Sequence, residues 1–181
     1  MTWRYGAFEL DPTIPPEGVD ARAYLEAKYD AVTVAEIHKR LAAVAAAEGL
    51  PPRDLAAQGR RPNTFAAHRL LTAALADGAA VQQAVADGLF RAYWVDGADI
   101  GAHDVLVALA GAVGMTAERA REALDAVDVE RAARAQEQEA QQAGVHAVPT
   151  FVFDRRFALS GAQPPAVLAG AVRQALATAG A

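Results

Sequence analysis

The sequence predicts an α/β protein in which a large all-helical block separates the strands of a small sheet. A short alternating segment, Thr2–Phe8, opens the chain, and two short apolar segments, Val148–Phe153 and Phe157–Leu159, lie near its end. Short runs rich in β-branched and aromatic residues are typical of strands. The long stretch between them has helical periodicity, which fits an α/β domain that carries a helical insertion.

Capping residues and helix-terminating glycines indicate where the helices are expected to begin and end. One helix is expected to follow Asp20, and the next to be capped by Thr33, with Glu36 three residues later and Gly49 at its end. Asn63 is expected to begin a helix that ends near residue 78. Further helices are predicted at about residues 80–94, 102–113, 116–126, 129–143 and 164–177.

Charge and hydropathy exclude several classes of function. The 181 residues suit one domain, or a small domain with another inserted in it, and the net charge is −5. An acidic chain without a basic face gives poor support for binding to nucleic acid or to an anionic membrane. No apolar run is long enough for a membrane span, and the first residues lack a signal-peptide pattern. We therefore expect a cytoplasmic protein.

The sequence contains no cysteine. Disulfides, thiolate metal ligands, a catalytic thiol and Cys-x-x-Cys chemistry are therefore excluded for this chain. The four histidines share no metal-ligand spacing, and His68 is expected to be packed or solvated. No catalytic residue and no metal ligand is predicted.

The strongest candidate for a binding site surrounds Pro149. Proline cannot donate to a strand ladder, so a proline that opens an apolar strand is unusual. A cis bond between Val148 and Pro149 would leave neighbouring backbone groups free to bind an extended peptide or a thiol ligand. The alternative is an ordinary trans proline at the start of a strand, which is the commoner form.

Three other residues are candidates for ligand contacts. Ser160 and Gln163 have the spacing of a capping box for the last helix, and free N–H groups near Gln163 could hold an anion there. Asn63 is expected to cap its helix, and the alternative is a ligand contact. The predicted substrate-binding residues are thus Val148, Pro149, Ser160, Gln163 and Asn63.

Four stretches together resemble one known family. They are Gly144–Phe151 with Ser160-Gly161-Ala162-Gln163, then Phe8–Pro12, Arg61–Leu70 and Gly88–Trp94. The sequence is similar to the DsbA-like thioredoxin-fold proteins, and most similar to the FrnE branch, which is related to 2-hydroxychromene-2-carboxylate isomerases and kappa-class glutathione transferases. The resemblance implies a thioredoxin-like domain from residues 1–12 and 144–181, with residues 13–143 inserted as a helical domain. It also implies a cis bond at Pro149, and a site for the γ-glutamyl carboxylate of glutathione at the last helix.

The resemblance also implies that part of the family's fold is absent. The chain begins at what resembles the second strand, so the strand and helix that carry the Cys-x-x-Cys motif, or a serine in the isomerase branch, are missing. The reading frame could be incomplete, the remaining strands could pair directly, or a second subunit could fill the gap. We expect an incomplete or reduced family member that compensates by forming a homodimer.

Three functions remain open at this point. The family implies a thiol–disulfide oxidoreductase or isomerase, but without cysteine this chain is expected to be inactive in dithiol exchange. The second hypothesis is a binding module that holds a peptide or glutathione without chemistry. The third is a relative of the glutathione-dependent isomerases, in which glutathione supplies the thiol.

Overall fold

A computed structural model describes residues 2–51 and 59–179. Met1, residues 52–58 and the last two residues, which the predicted domains include, lie outside the described part. The helices are α1 (Ala21–Lys28), α2 (Ala31–Ala47), α3 (Phe65–Asp77), α4 (Ala79–Arg91), α5 (His103–Ala112), α6 (Ala117–Asp125), α7 (Val127–Gln142) and α8 (Pro165–Ala179). A π-helical segment, Ala92–Asp96, follows α4. The strands are β1 (Val19–Asp20), β2 (Arg60–Arg61), β3 (Thr150–Phe153) and β4 (Phe157–Ser160).

The strands form two antiparallel pairs among the described residues. In the first pair, Val19 lies opposite Arg61. In the second, Thr150 lies opposite Ser160 and Phe153 opposite Phe157. The β3–β4 pair and most of the helices agree with the sequence prediction, whereas the two-residue strands β1 and β2 were not predicted.

The chain divides into two compact units, residues 1–137 and 138–181. The N-terminal segment groups with the helices in the first unit, whereas the predicted domains group it with the C-terminal strands. The core of the first unit lies between α3, α4, α5 and α6. Alanines allow these helices to pack closely around a few larger side chains, namely Leu70, Val85, Leu89, Leu106, Met115 and Leu124.

Local chemistry explains the ends of α2. The prediction that Thr33 caps this helix is wrong, because the cap is Asp30. The Thr33 backbone N–H donates to Asp30 Oδ1 at 2.9 Å, and the Thr33 hydroxyl donates to Asp30 Oδ2 at 2.7 Å. At the other end Gly49 has a φ of +70°, and the Leu50 N–H donates to the Ala45 carbonyl oxygen at 2.8 Å. This is the glycine-terminated end that the sequence predicts.

The segment Thr2–Phe8, predicted as a strand that lacks its family partner, pairs with no strand among the described residues and is not part of a sheet there. Its backbone is held by helix side chains instead. The Tyr5 N–H donates to Gln82 Oε1 at 3.0 Å, the Ala7 N–H to Gln136 Oε1 at 3.0 Å, and the Glu9 N–H to Glu137 Oε1 at 3.0 Å. Bonding at alternate residues is typical of extended backbone, in which successive groups point to opposite sides.

Gln82 is the most constrained member of this set. Its side chain is fully buried on α4, and its Nε2 donates to the carbonyl oxygens of Tyr5 at 2.9 Å and Leu71 at 3.1 Å. One amide therefore satisfies three backbone groups, two on the N-terminal segment and one on α3. A buried amide is stable in a core only when it is bonded in this way.

A group of ionisable side chains lies beside the same segment. The Glu9 and Glu137 carboxylates are almost fully buried, and Arg134 donates to Glu9 Oε2 at 2.6 Å and to Glu137 Oε2 at 2.8 Å. The Arg134 guanidinium also stacks on the Phe65 ring, 3.3 Å from its centroid. His68 is buried nearby, and its Nδ1 has no hydrogen-bond partner among the described residues. Burial lowers the pKa of His68 below its ordinary value of 6.5, and the Glu137 carboxylate opposes this shift without reversing it.

We predict that Gln82→Leu destabilises the protein by about 3 kcal/mol, because the part-buried N–H and C=O groups of Tyr5 lose their partner and the Leu71 carbonyl oxygen loses one of its hydrogen bonds. The free energy of unfolding from urea titration measures the effect. Gln83→Leu is the matched control on the same helix, since its amide bonds only the Tyr5 hydroxyl and Asp87, and should cost less than about 1 kcal/mol. Equal losses in the two variants would contradict the role assigned to Gln82.

We also predict that acid weakens the fold through His68. Because the folded pKa lies below the unfolded value of 6.5, the unfolded chain takes up the proton first, so stability falls as the pH falls below about 6.5. Urea titrations between pH 7.5 and 5 should show this slope, and His68→Gln should flatten it. The same slope in wild type and variant would assign the acid sensitivity to other groups.

Candidate functional site

The candidate site lies in the second unit, on the hairpin of β3 and β4. The turn between the strands is closed by the Arg156 N–H, which donates to the Phe153 carbonyl oxygen at 3.0 Å. Its central residues, Asp154 and Arg155, both have positive φ, 50° and 56°. Arg156 Nη1 also donates to the Thr178 carbonyl oxygen at 2.7 Å, which ties the turn to the end of α8.

The two faces of the hairpin differ. Phe153 is buried and stacks on Phe157 with 5.1 Å between ring centroids, and Phe151 and Leu159 are half-buried on the same face. Because side chains alternate along a strand, Val152 and Ala158 point the other way, and both are exposed. Since β3 contacts α8, one face is anchored in the unit, which fixes the orientation of the strand edges.

Pro149 immediately precedes β3, at the end of the hairpin opposite the turn. The Val148–Pro149 peptide bond is cis, and both residues are exposed. The Pro149 carbonyl oxygen accepts the Gly161 N–H at 2.8 Å, which extends the β3–β4 pairing by one position. The Thr150 hydroxyl donates to the Ala147 carbonyl oxygen at 2.7 Å and closes the turn that precedes the strand.

The Pro149–Gly161 bond defines which backbone groups of β3 face outward. Hydrogen-bonded and non-hydrogen-bonded pairs alternate along an antiparallel ladder. Since Pro149 and Gly161 form a bonded pair, the next bonded pairs are Phe151 with Leu159 and Phe153 with Phe157 in the observed register. The N–H and C=O groups of Thr150 and Val152 therefore point away from β4. Within the described part of the chain these groups, and those of Val148, have no hydrogen-bond partner.

The predicted capping box at Ser160 and Gln163 is wrong. Ser160 is the last residue of β4, and α8 begins only at Pro165. Gly161, with a φ of +82°, turns the chain out of the strand, and proline is favoured at the first position of a helix. Gln163 Nε2 donates to the Ser160 carbonyl oxygen at 2.7 Å and bridges the intervening turn. The N–H group of Gln163 is therefore not part of the first turn of α8.

Asn63 lies in the first unit and ties two segments together. Its Oδ1 accepts the Phe65 N–H at 2.8 Å, which satisfies a free donor at the start of α3. Its Nδ2 donates to the Ile14 carbonyl oxygen at 2.7 Å. Thr64 occupies the N-cap position of α3, but its side chain makes no capping hydrogen bond. Asn63, which was expected at the N-cap, lies one residue before it and supplies the capping bond. Ser160 thus lies in the hairpin, and Val148, Pro149 and Gln163 lie in the segments that flank it, whereas Asn63 is bonded within the other unit.

The geometry can be compared with known proteins. The model of the DsbA-like thioredoxin domain matches residues 1–173. The chain belongs to this family. It is therefore a DsbA-like thioredoxin-domain protein, and the α/β fold class predicted from the sequence is confirmed.

Two solved structures are similar to this DsbA-like chain. The crystal structure of the probable DsbA oxidoreductase SCO1869 from Streptomyces coelicolor is 36% identical, with a TM-score of 0.79, and the match covers 94% of this chain and 73% of that one. A candidate protein disulfide isomerase from Nitrosomonas europaea is 22% identical, with a TM-score of 0.51 and coverage of 64% and 56%, which shows a shared fold alone. None of the curated proteins matches the chain.

Two further kinds of functional feature, a metal site and a membrane span, are absent from the described part of this DsbA-like chain. Within it, no cluster of histidine and acidic side chains is arranged to hold a metal ion. No helix in the same ranges is long and apolar enough to cross a membrane. Two groups were not predicted from the sequence, namely the outward edge of β3 beyond Val148 and the backbone-binding amide of Gln82. The first could have been found from the hairpin register, whereas the second depends on contacts between residues far apart in sequence.

Proposed function

We propose that this chain is a binding module of the DsbA-like family, which holds an extended peptide at the edge of β3. The observation that carries the proposal is the row of outward backbone groups at Val148, Thr150 and Val152. An extended peptide can add to such an edge through main-chain hydrogen bonds, while side-chain contacts supply specificity. The exposed Val148 and Pro149 extend the same surface.

The proposed contacts need no thiol. The sequence has no cysteine, and a thiolate is the nucleophile in disulfide exchange. The family's oxidoreductase or isomerase activity is therefore proposed to be absent from the 181 residues taken alone. The assignment to the FrnE branch and a cytoplasmic location are part of the same proposal.

Glutathione is a second candidate ligand, favoured by the exposed Ser160 next to the Gly161–Pro149 bond. Gln163 is already bonded within the turn, so the Ser160 hydroxyl would be the main polar side-chain contact. Calorimetric titration separates the two ligands. Heat and a thermal shift with glutathione, but not with peptide, would favour the relationship to glutathione-dependent isomerases.

A second copy of the chain could occupy the same edge, which gives a homodimer by strand addition. Light scattering over a range of protein concentrations tests this arrangement. A dimer should lose affinity for peptide as protein concentration rises, because both compete for β3. A monomer at all concentrations would remove the homodimer from the proposal and leave peptide binding intact.

We predict that the chain does not catalyse insulin reduction by dithiothreitol above the uncatalysed rate, because no thiolate can form. Turbidity of the reduced B chain measures the reaction. A DsbA-like protein that carries a Cys-x-x-Cys motif is the positive control. Measurable catalysis by the 181-residue chain would contradict the proposal of a non-catalytic module.

We predict that Val152→Pro weakens peptide binding about fivefold, since it removes one outward N–H and the net value of such a bond is about 1 kcal/mol. The ladder to β4 keeps its bonds, and proline is tolerated where the strand N–H faces outward. The probe is a capped peptide of alternating valine and threonine with a terminal lysine, and the readout is the chemical shift of the β3 amides.

The matched control is Ala158→Pro, which removes an outward N–H on β4, directly opposite Val152. It should leave peptide affinity unchanged. In the wild type, bound peptide should protect the Thr150 and Val152 amides from hydrogen exchange. Equal weakening by both variants, or no protection at β3, would overturn the assignment of the site.

A further inference from the structure

A small cavity lies in the first unit. It has a volume of about 190 Å³ and is lined by residues of the loop after the N-terminal segment, of α1, of α2 and of β2. Leu25 and Ile37 contribute apolar wall, and the polar lining includes Asp11, Tyr24, Lys28 and Arg61. This combination of apolar wall and a few charged groups is typical of a small-molecule site.

The Asp11 carboxylate in the lining already accepts hydrogen bonds from neighbouring residues. Asp11 Oδ1 accepts both the N–H and the hydroxyl of Thr13, at 3.2 and 2.5 Å, and Oδ2 accepts the Tyr24 hydroxyl at 2.6 Å. The Thr13 and Tyr24 hydrogen bonds lower the pKa of Asp11 to about 2. Lys28 Nζ donates to the Tyr24 oxygen at 3.0 Å, so Asp11, Tyr24 and Lys28 form one chain of hydrogen bonds.

Arg61 is different, because its Nε atom is buried and has no hydrogen-bond partner among the described residues. Its CZ atom stacks over the Tyr24 ring at 4.4 Å from the centroid. A guanidinium has five N–H donors, and a buried donor without a partner costs free energy.

The backbone holds Arg61 in position. β1 pairs with β2, and Gly18 approaches so closely that a Cβ atom there would lie 2.7 Å from the Arg61 carbonyl oxygen. The side chain therefore leaves a fixed point and runs along the Tyr24 ring. The lining carries the positive charges of Lys28 and Arg61 and the negative charge of Asp11, so positive charge exceeds negative charge by one.

We propose that this cavity binds a small organic carboxylate, with the carboxylate paired to Arg61 and Lys28 and the apolar body against Leu25 and Ile37. An Arg–carboxylate pair can form two parallel hydrogen bonds, which would give the guanidinium its missing acceptors. Lys28 has three donors and uses one on Tyr24, so it can bind the same anion. The small volume limits the ligand to a compact acid, since drug-sized ligands need larger pockets.

Benzoate is the probe, because it joins a carboxylate to a compact apolar ring. We expect saturable binding in the millimolar range, with a shift of the Arg61 Nε–H resonance in nitrogen–proton spectra of the full chain. Benzamide, which has the same shape without the charge, should not bind, and inorganic phosphate should bind at least about tenfold more weakly because it lacks an apolar body.

Arg61→Gln should weaken benzoate binding at least tenfold, and Lys28→Gln should weaken it less. Arg22→Gln is the matched control, since Arg22 is an exposed arginine on α1 outside the cavity, and should leave affinity unchanged. If Arg61→Gln fails to fold, Arg61→Lys takes its place as the test. This variant keeps the positive charge but loses the planar guanidinium, and it should also weaken benzoate binding. No saturable binding, equal binding of phosphate, or equal weakening by Arg22→Gln would overturn the proposal.

Discussion

The first unit depends on three side chains that take the place of a neighbouring strand. Gln82 on α4 and Gln136 and Glu137 on α7 accept the N–H groups of alternate residues in the N-terminal segment. An extended segment without this arrangement would leave buried donors unpaired, which is the reason such segments normally lie in sheets. These bonds hold the segment up to Glu9, and the loop that follows contributes Leu10 and Asp11 to the cavity lining and the Ile14 carbonyl oxygen to the bond with Asn63.

Glu137 joins this backbone network to the buried charges. Its Oε1 accepts the Glu9 N–H, and its Oε2 accepts from Arg134, which also binds the Glu9 carboxylate. Two carboxylates thus share one guanidinium, and the Glu9 backbone is fixed by the second carboxylate. Buried charges are tolerated only when they are paired and hydrogen-bonded. Burial in this site lowers the pKa of His68, and the nearby Glu137 carboxylate only partly offsets that shift.

The sequence predicts the local part of this fold well and the non-local part poorly. The helices follow from periodicity and from glycines such as Gly49, and the hairpin follows from its apolar runs and polar turn, because these signals lie within a few residues of each other. The N-terminal strand was wrong because its partners are side chains more than seventy residues away. Ser160 fits a capping box by spacing, but Gly161 and Pro165 delay the start of α8. Arg61 gives no local signal, since its isolation appears only when the surrounding loops are placed.

The two proposed sites differ in how they would respond to substitution. At the proposed β3 site the recognising groups would belong to the backbone, so most changes of side chain would leave them in place. Selectivity there would come from the few exposed side chains beside the edge, such as Val148 and Val152. In the cavity the recognising groups are the ends of two long side chains, so a single substitution removes the charge on which binding depends. The proposed hairpin site would therefore accept varied extended ligands, whereas the proposed cavity site would accept one chemical class.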